Sequence, residues 1–462
     1  MHIKRRIKSL LLFCIFVSIN RCIATCTLSF ENRKTSEPFL FGVATSAYQV
    51  EGSDGATVLP YNQWHRLEGK EIVLDGNVDK PVPHISGTAC EHYKRYKEDI
   101  KLMKDLGFKA YRFSISWGKI EPEPGVYNQD VLDHYEAVCQ ELVDNGIKPL
   151  ITLYHYTHPC WFEDKGGFEK KENIPYFENF CVKVFNTLHT YNPVWFTFCS
   201  YVGYAFPAYF IGFKPPFKKD MQLAVHVIKN MLDAHVLVYH RLKSIAKTAK
   251  IGIHKTVYLI DPYYKWSLLD QAYSWFGNKM QNYSIYDFFK TGMYKVWMPG
   301  KARIKHENKK AKGALDCIGL TYYSAAYTKN CKIIPRPECL PTENERYTIY
   351  PQGLYRTLHH INDHLAKPLN VPIYITETGI AAKSDKDREL FFKQHLSMVS
   401  KALQEGLDIR SYCVWSLMDN FEWSEGYTKK YGICALNFET QERVLKKGTS
   451  SLIAVAKMNG RR

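Results

Sequence analysis

The feature that most restricts the fold of this chain is an alternation. Short, β-rich, nearly continuous apolar runs recur along it, separated by longer segments with helical spacing. The runs are "FLFGVATSAY", "AYRFSISW", "KPLITLYH", "VWFTFCS", "KIGIHK", "DCIGLTYY", "PIYITET" and "YCVWSLMDN", eight in all. Unbroken apolar character marks strands buried on both faces, the condition of a parallel sheet covered by helices. The intervening segments supply those helices. "NQDVLDHYEAVCQELVDNG" carries an apolar stripe and a glycine stop, and "LAVHVIKNMLDAHVLVYHRLKSIA" carries another stripe. Eight such strands, with no short repeat and no low-complexity linker, point to an α/β fold, the (β/α)8 TIM barrel. A doubly wound open sheet is the competing arrangement. No GxGxxG follows any run, which weakens its dinucleotide-binding form.

The length, 462 residues, would otherwise suggest two or three domains. A barrel absorbs it as one domain over 25–462. Residues 1–24 read as a signal peptide: "MHIKRRIKS" is a basic start, "LLLFCIFVSI" a short apolar core, and "RCIATC" supplies small residues for cleavage. The expected location is the secretory pathway lumen or outside the cell, with no membrane span beyond the signal segment. Cleavage after Ala24 removes Cys14 and Cys22 and leaves an odd number of cysteines. Cys331 and Cys339 flank a short Pro-containing loop and are the best candidates for a bridge. "NYS" at Asn282 is a glycosylation sequon. The net charge of +16 could serve nucleic acid or an anionic surface. No long Lys/Arg run and no nucleic-acid motif accompanies it, so a solvated basic surface is the expectation and no nucleic-acid partner is assigned.

A barrel places function at the C-terminal ends of its strands. The residues there are Gln49, Arg112, His155, Ser200, Tyr322, Glu377 and Trp415, joined by Glu422 and Trp423 from "WSLMDNFEW". Polar donors and acceptors, carboxylates and aromatic faces would meet in one bowl. A carbohydrate needs that mixture, because its hydroxyls want paired polar partners and its ring faces stack on aromatics. The expected partner is a β-glycoside or glycan; no cofactor and no metal are expected.

The quoted segments, with "YITETG" and "WSLMDNFEWSEGYTKKYGI", resemble family 1 glycoside hydrolases, the β-glucosidase group, from about Phe39 to Ala435. The family's members are retaining β-glycosidases on (β/α)8 barrels. The resemblance implies that Glu377 is the nucleophile and that Arg112 and Tyr322 contact it. It implies that Gln49, His155, Glu422 and Trp423 hold the sugar in the first subsite above Trp415, with Trp64 on the first loop. Trp117 reads as core.

A retaining glycosidase needs a second carboxyl group to protonate the leaving oxygen and then deprotonate water. The family writes it as Thr-Phe-Asn-Glu-Pro on the fourth strand. Here that strand reads "TFCSY": Cys199 replaces an Asn implied to bond the sugar 2-hydroxyl, and Ser200 replaces the acid/base Glu. Thr321, Thr378 and Tyr156 are further departures. Glu163 and Asp164 follow the third strand, but the family pattern puts them on a loop and helix. Two readings stay open. One is an altered glycosidase for leaving groups that need no proton, as in the myrosinases. The other is a sugar-binding or receptor-accessory protein like the Klotho group, whose barrels lack one or other carboxylate, with a cell-surface receptor as partner.

Overall fold

All eight apolar runs form strands of one closed barrel. The computed structural model describes residues 28–52, 61–68 and 85–460, with the short strands Val73–Leu74 and Asn77–Val78. The signal-peptide reading, with Cys14 and Cys22, lies outside the described residues. The barrel strands are β1 (Leu40–Ala44), β2 (Ala110–Ser114), β3 (Lys148–Tyr154), β4 (Val194–Phe198), β5 (Lys250–Thr256), β6 (Cys317–Tyr322), β7 (Ile373–Thr378) and β8 (Ile409–Trp415). Each pairs in parallel with its neighbours in chain order, and β1 closes the ring by pairing with both β2 and β8.

The two segments with helical stripes fold accordingly. Gln129–Asp144 starts where the Asn128 side chain accepts from the Val131 N–H, and Met221–Ile245 starts where Asp220 does the same for Leu223. The large core lies between barrel and helices. It takes the outward residues of each strand, such as Tyr111 and Phe113 on β2 and Ile151 and Leu153 on β3. Inward residues at alternate positions fill the barrel itself: Ala110, Leu150, Val194, Phe196, Tyr374 and Cys413. His254 crosses this interior, bonded to Thr152 on one side (2.9 Å) and Thr376 on the other (2.6 Å). Trp117 is core, as read, stacked on Phe180 with its N–H bonded to Glu121.

Two sequence expectations fail in the structure. Cys331 and Cys339 are both free thiols, so the proposed bridge is absent. Asn282 is fully buried in the helical turn Lys279–Tyr283, so its sequon cannot carry a glycan on the folded chain.

Candidate active site

The C-terminal strand ends converge on a cavity of about 220 Å³ lined by His155, Tyr156, Ser200, Lys214, Tyr323, Glu377, Trp415, Glu422 and Trp423, among others. That is below the roughly 300–1,000 Å³ of most ligand pockets, room for about one sugar ring.

Glu377 is the centre. Strand alternation would turn it away from the barrel axis, because Thr376 already points inward to His254. The register slips on both sides of β7 here, between Leu320 and Thr321 of β6 and between Ile375 and Thr378. Such bulges re-aim side chains, and this one delivers the carboxylate to the pocket. There Arg112 Nη2 donates to Oε2 at 2.6 Å and the Tyr323 hydroxyl donates to Oε1 at 2.7 Å. Both oxygens are therefore fixed.

The tyrosine is not the one the sequence suggested. Tyr322, still within β6, points out into the barrel–helix core, where its hydroxyl donates to the Tyr350 carbonyl at 2.7 Å. Tyr323, one residue on, faces the opposite way. Neighbouring residues at a strand end face opposite sides, and the sequence did not fix where the strand stopped.

Arg112 is fully buried and serves more than Glu377. Its Nη2 also reaches Cys199 Sγ at 3.0 Å, and its Nη1 reaches His155 Nδ1 at 3.3 Å. His155, Cys199 and Glu377 each offer a ligand atom within 4.8 Å of the others, the spacing of a metal site. The guanidinium bonds all three and occupies the place a cation would take. Burial, and then the Arg112 charge, hold the His155 pKa well below its ordinary value, so the ring is neutral. With Nδ1 accepting from Arg112, Nε2 carries the proton and can donate to a hydroxyl.

The β4 end carries Cys199 and Ser200, with no carboxyl group of its own. Ser200 is buried in a left-handed conformation (φ 40°), its hydroxyl accepting from Thr256 at 2.5 Å and reaching Thr321 at 3.5 Å. The wall there is hydroxyls. Burial pushes the Cys199 thiol up to about 12, so it is no substitute acid at neutral pH. Burial also raises the Tyr156 phenol well above its usual range. Glu163 accepts from His158 at 2.7 Å and Asp164 pairs with Arg66, and neither lines the cavity.

On the opposite side, burial pushes the Glu422 carboxyl up to about 7, although Lys214 counteracts it. Near neutrality it can donate as well as accept. Trp415 and Trp423 flank it, and Trp423 packs on Tyr48 and Trp64. Gln49 and Trp64 are behind the pocket wall rather than in it. The Gln49 amide donates to the Phe421 carbonyl at 2.7 Å and to Asn420, which fixes the loop that carries Glu422. Tyr323, Lys214 and Arg346 are pocket residues that sequence reasoning missed. Tyr323 was adjacent to a named residue; Lys214 and Arg346 lie on irregular loops with no periodic signal.

The sequence model of glycosyl hydrolase family 1 matches residues 32–461. A β-glucosidase A of Thermotoga maritima is 31% identical over 453 residues, covering 93% of this chain and 99% of that protein. A 6-phospho-β-galactosidase of Clostridium acetobutylicum is 30% identical, covering 89% of this chain and 94% of its own length. Among solved structures, the Thermotoga maritima β-glucosidase in complex with glucoimidazole superposes with a TM-score of 0.81 at 32% identity, covering 92% of this chain and 99% of that one. With its closed eight-stranded barrel and a match running through nearly the whole described length, this chain belongs to glycosyl hydrolase family 1.

Proposed function

We propose that the protein is a β-glucosidase-like retaining glycosidase with altered chemistry, acting through Glu377 on glycosides whose leaving group needs no protonation. The observation that carries this reading is the asymmetry of the pocket. Glu377 is held at both oxygens by Arg112 and Tyr323, while the β4 wall offers only hydroxyls at Ser200, Thr256 and Thr321. A fixed carboxylate can attack an anomeric carbon. A serine hydroxyl cannot give up a proton in the useful range. Losing a general acid typically costs about 10²- to 10⁴-fold for leaving groups that need one. The basic and apolar N-terminal segment supports delivery into the secretory route.

Ser200→Glu tests the reading. Restoring the carboxyl is expected to raise kcat/KM on phenyl β-glucoside by about 10²-fold or more. Wild type is expected to take up a covalent label on Glu377 from 2-deoxy-2-fluoroglucosyl fluoride, read by peptide mass. No label and no gain from Ser200→Glu would remove the enzymatic reading. The second reading, a non-catalytic Klotho-like sugar binder with a receptor partner, is favoured by the same lost acid beside a kept glycone side at His155, Trp415, Glu422 and Trp423. Sugar binding without labelling would select it.

A further inference from the structure

Lys214 lines the same pocket as Ser200 and comes just after the helical turns that follow β4. Its ammonium lies 4.6 Å from the centre of the Tyr156 ring and 5.8 Å from that of Trp423. It makes no ion pair among the described residues. The charges that face it are Arg346, which opposes its ionisation, and Glu422 and Glu377, which favour it at longer range. Arg346 is already paired with Glu425 at 3.3 Å, and Glu377 with Arg112. A partly buried ammonium over aromatic faces thus lacks an anion at contact distance. It faces the same pocket as Ser200, the position where the missing acid would have met the leaving group.

The geometry points to glycosyl esters as the substrate class: a sugar whose anomeric oxygen carries an acyl group, with Lys214 receiving the departing carboxylate. This rests on the reading of Glu377 as nucleophile. In the first step a Glu377 oxygen bonds to C1, the C1–O bond breaks, and its electron pair leaves on the carboxylate. No proton is required, so the loss at Ser200 does not matter. Lys214 stabilises the new charge by a charge-assisted hydrogen bond. In the second step water attacks C1, the C1–Oε bond returns its electrons to Glu377, and the water proton passes to the carboxylate still held at Lys214. Free sugar and carboxylic acid result. A phosphate leaving group shares the anionic chemistry. The carboxylate is favoured because Phe213 and Tyr347, which also line an adjoining cavity of about 600 Å³ with Phe206 and Pro207, offer apolar surface to an acyl tail, while Glu425 at the pocket repels a dianion.

The experiment uses the purified protein with 1-O-benzoyl-β-glucose, 2,4-dinitrophenyl β-glucoside and β-glucose 1-phosphate. The first two have leaving groups of similar acidity, but only benzoate keeps its charge on two localised oxygens. The expected result is a higher kcat/KM for the benzoyl ester than for the dinitrophenyl glucoside. Solvent ¹⁸O should enter the glucose, which marks cleavage at C1. Lys214→Met should lower the ester-to-aryl ratio by about tenfold, and Lys214→Arg should restore most of it. A ratio that Lys214→Met leaves unmoved, ¹⁸O in benzoate, or faster turnover of the phosphate would overturn the assignment. Absence of the fluoroglucosyl label on Glu377 in wild type would instead overturn the glycosidase reading beneath it.

Discussion

Tyr322 and Tyr323 are adjacent, yet one holds the Glu377 carboxylate and the other holds the barrel to its helices. The Tyr323 hydroxyl donates to Glu377 at 2.7 Å, and the Tyr322 hydroxyl donates to the Tyr350 carbonyl at the same distance. Removing each hydroxyl should therefore fail differently. Tyr323→Phe strips one of the two donors that fix the carboxylate, and hydrogen bonds to charged groups are worth about 1.5–3 kcal/mol. The rate of Glu377 labelling by a fluoroglucoside should fall about 10- to 100-fold. Tyr322→Phe should cost about 1 kcal/mol of stability, read as a lower urea midpoint, and leave the labelling rate within about twofold. If the two variants exchange these outcomes, the tyrosine assignment made from the sequence was the right one.

At the scale of elements, the eight strands were legible because burial on both faces writes continuous apolar runs, and the closed barrel keeps every such run. Glu377, Arg112, His155, Trp415, Glu422 and Trp423 were legible because they sit at strand ends or in the loop after β8. Three things were not. The bulges beside Glu377 change which face a residue takes without changing its identity. The role of Gln49 depends on where its amide finds carbonyls, and those belong to Asn420 and Phe421, far along the chain. Lys214 comes from a loop whose path no periodicity records. The packing of the strands carries its own prediction at Gly252 of β5. A Cβ there would lie 2.4 Å from the Cys317 carbonyl oxygen of β6, a backbone atom with nowhere to go. Gly252→Ala should force these paired strands apart and destabilise the protein by about 1–3 kcal/mol or more. Unchanged thermal unfolding would mean that β5 and β6 pack less closely than they do here.

The whole molecule stores neutral histidines in places that cannot take charge. Burial lowers His235 and His395 to about 4, from an ordinary 6.5. It lowers His134 and His360 to about 4 as well, the latter with help from His364. His155 and His254, inside the barrel and its mouth, are also held well below 6.5. These groups bind protons more readily in the unfolded chain than in the folded one. Stability therefore rises with pH through the interval from about 4 to 6.5 and is lost as pH falls through it. Glu422 has the opposite sign: with its folded value raised to about 7 from 4.5, it favours the folded state at low pH and gives that up as pH rises towards 7. One carboxyl against six histidines cannot reverse the slope. Each fully buried histidine contributes up to a few kcal/mol, and the sum rivals the whole 5–15 kcal/mol of a typical fold. The urea midpoint should drop sharply between pH 6.5 and pH 4.5. His235 shows where the drop originates, since its ring spans from Thr197 of β4 to the Ala314 carbonyl at 2.7 Å on both sides. His235→Gln keeps an amide donor and acceptor but cannot titrate, so it should lower the midpoint at pH 7 and flatten its decline below pH 6.5. A midpoint independent of pH across this range would mean that the buried imidazoles find anionic partners as the solution is acidified.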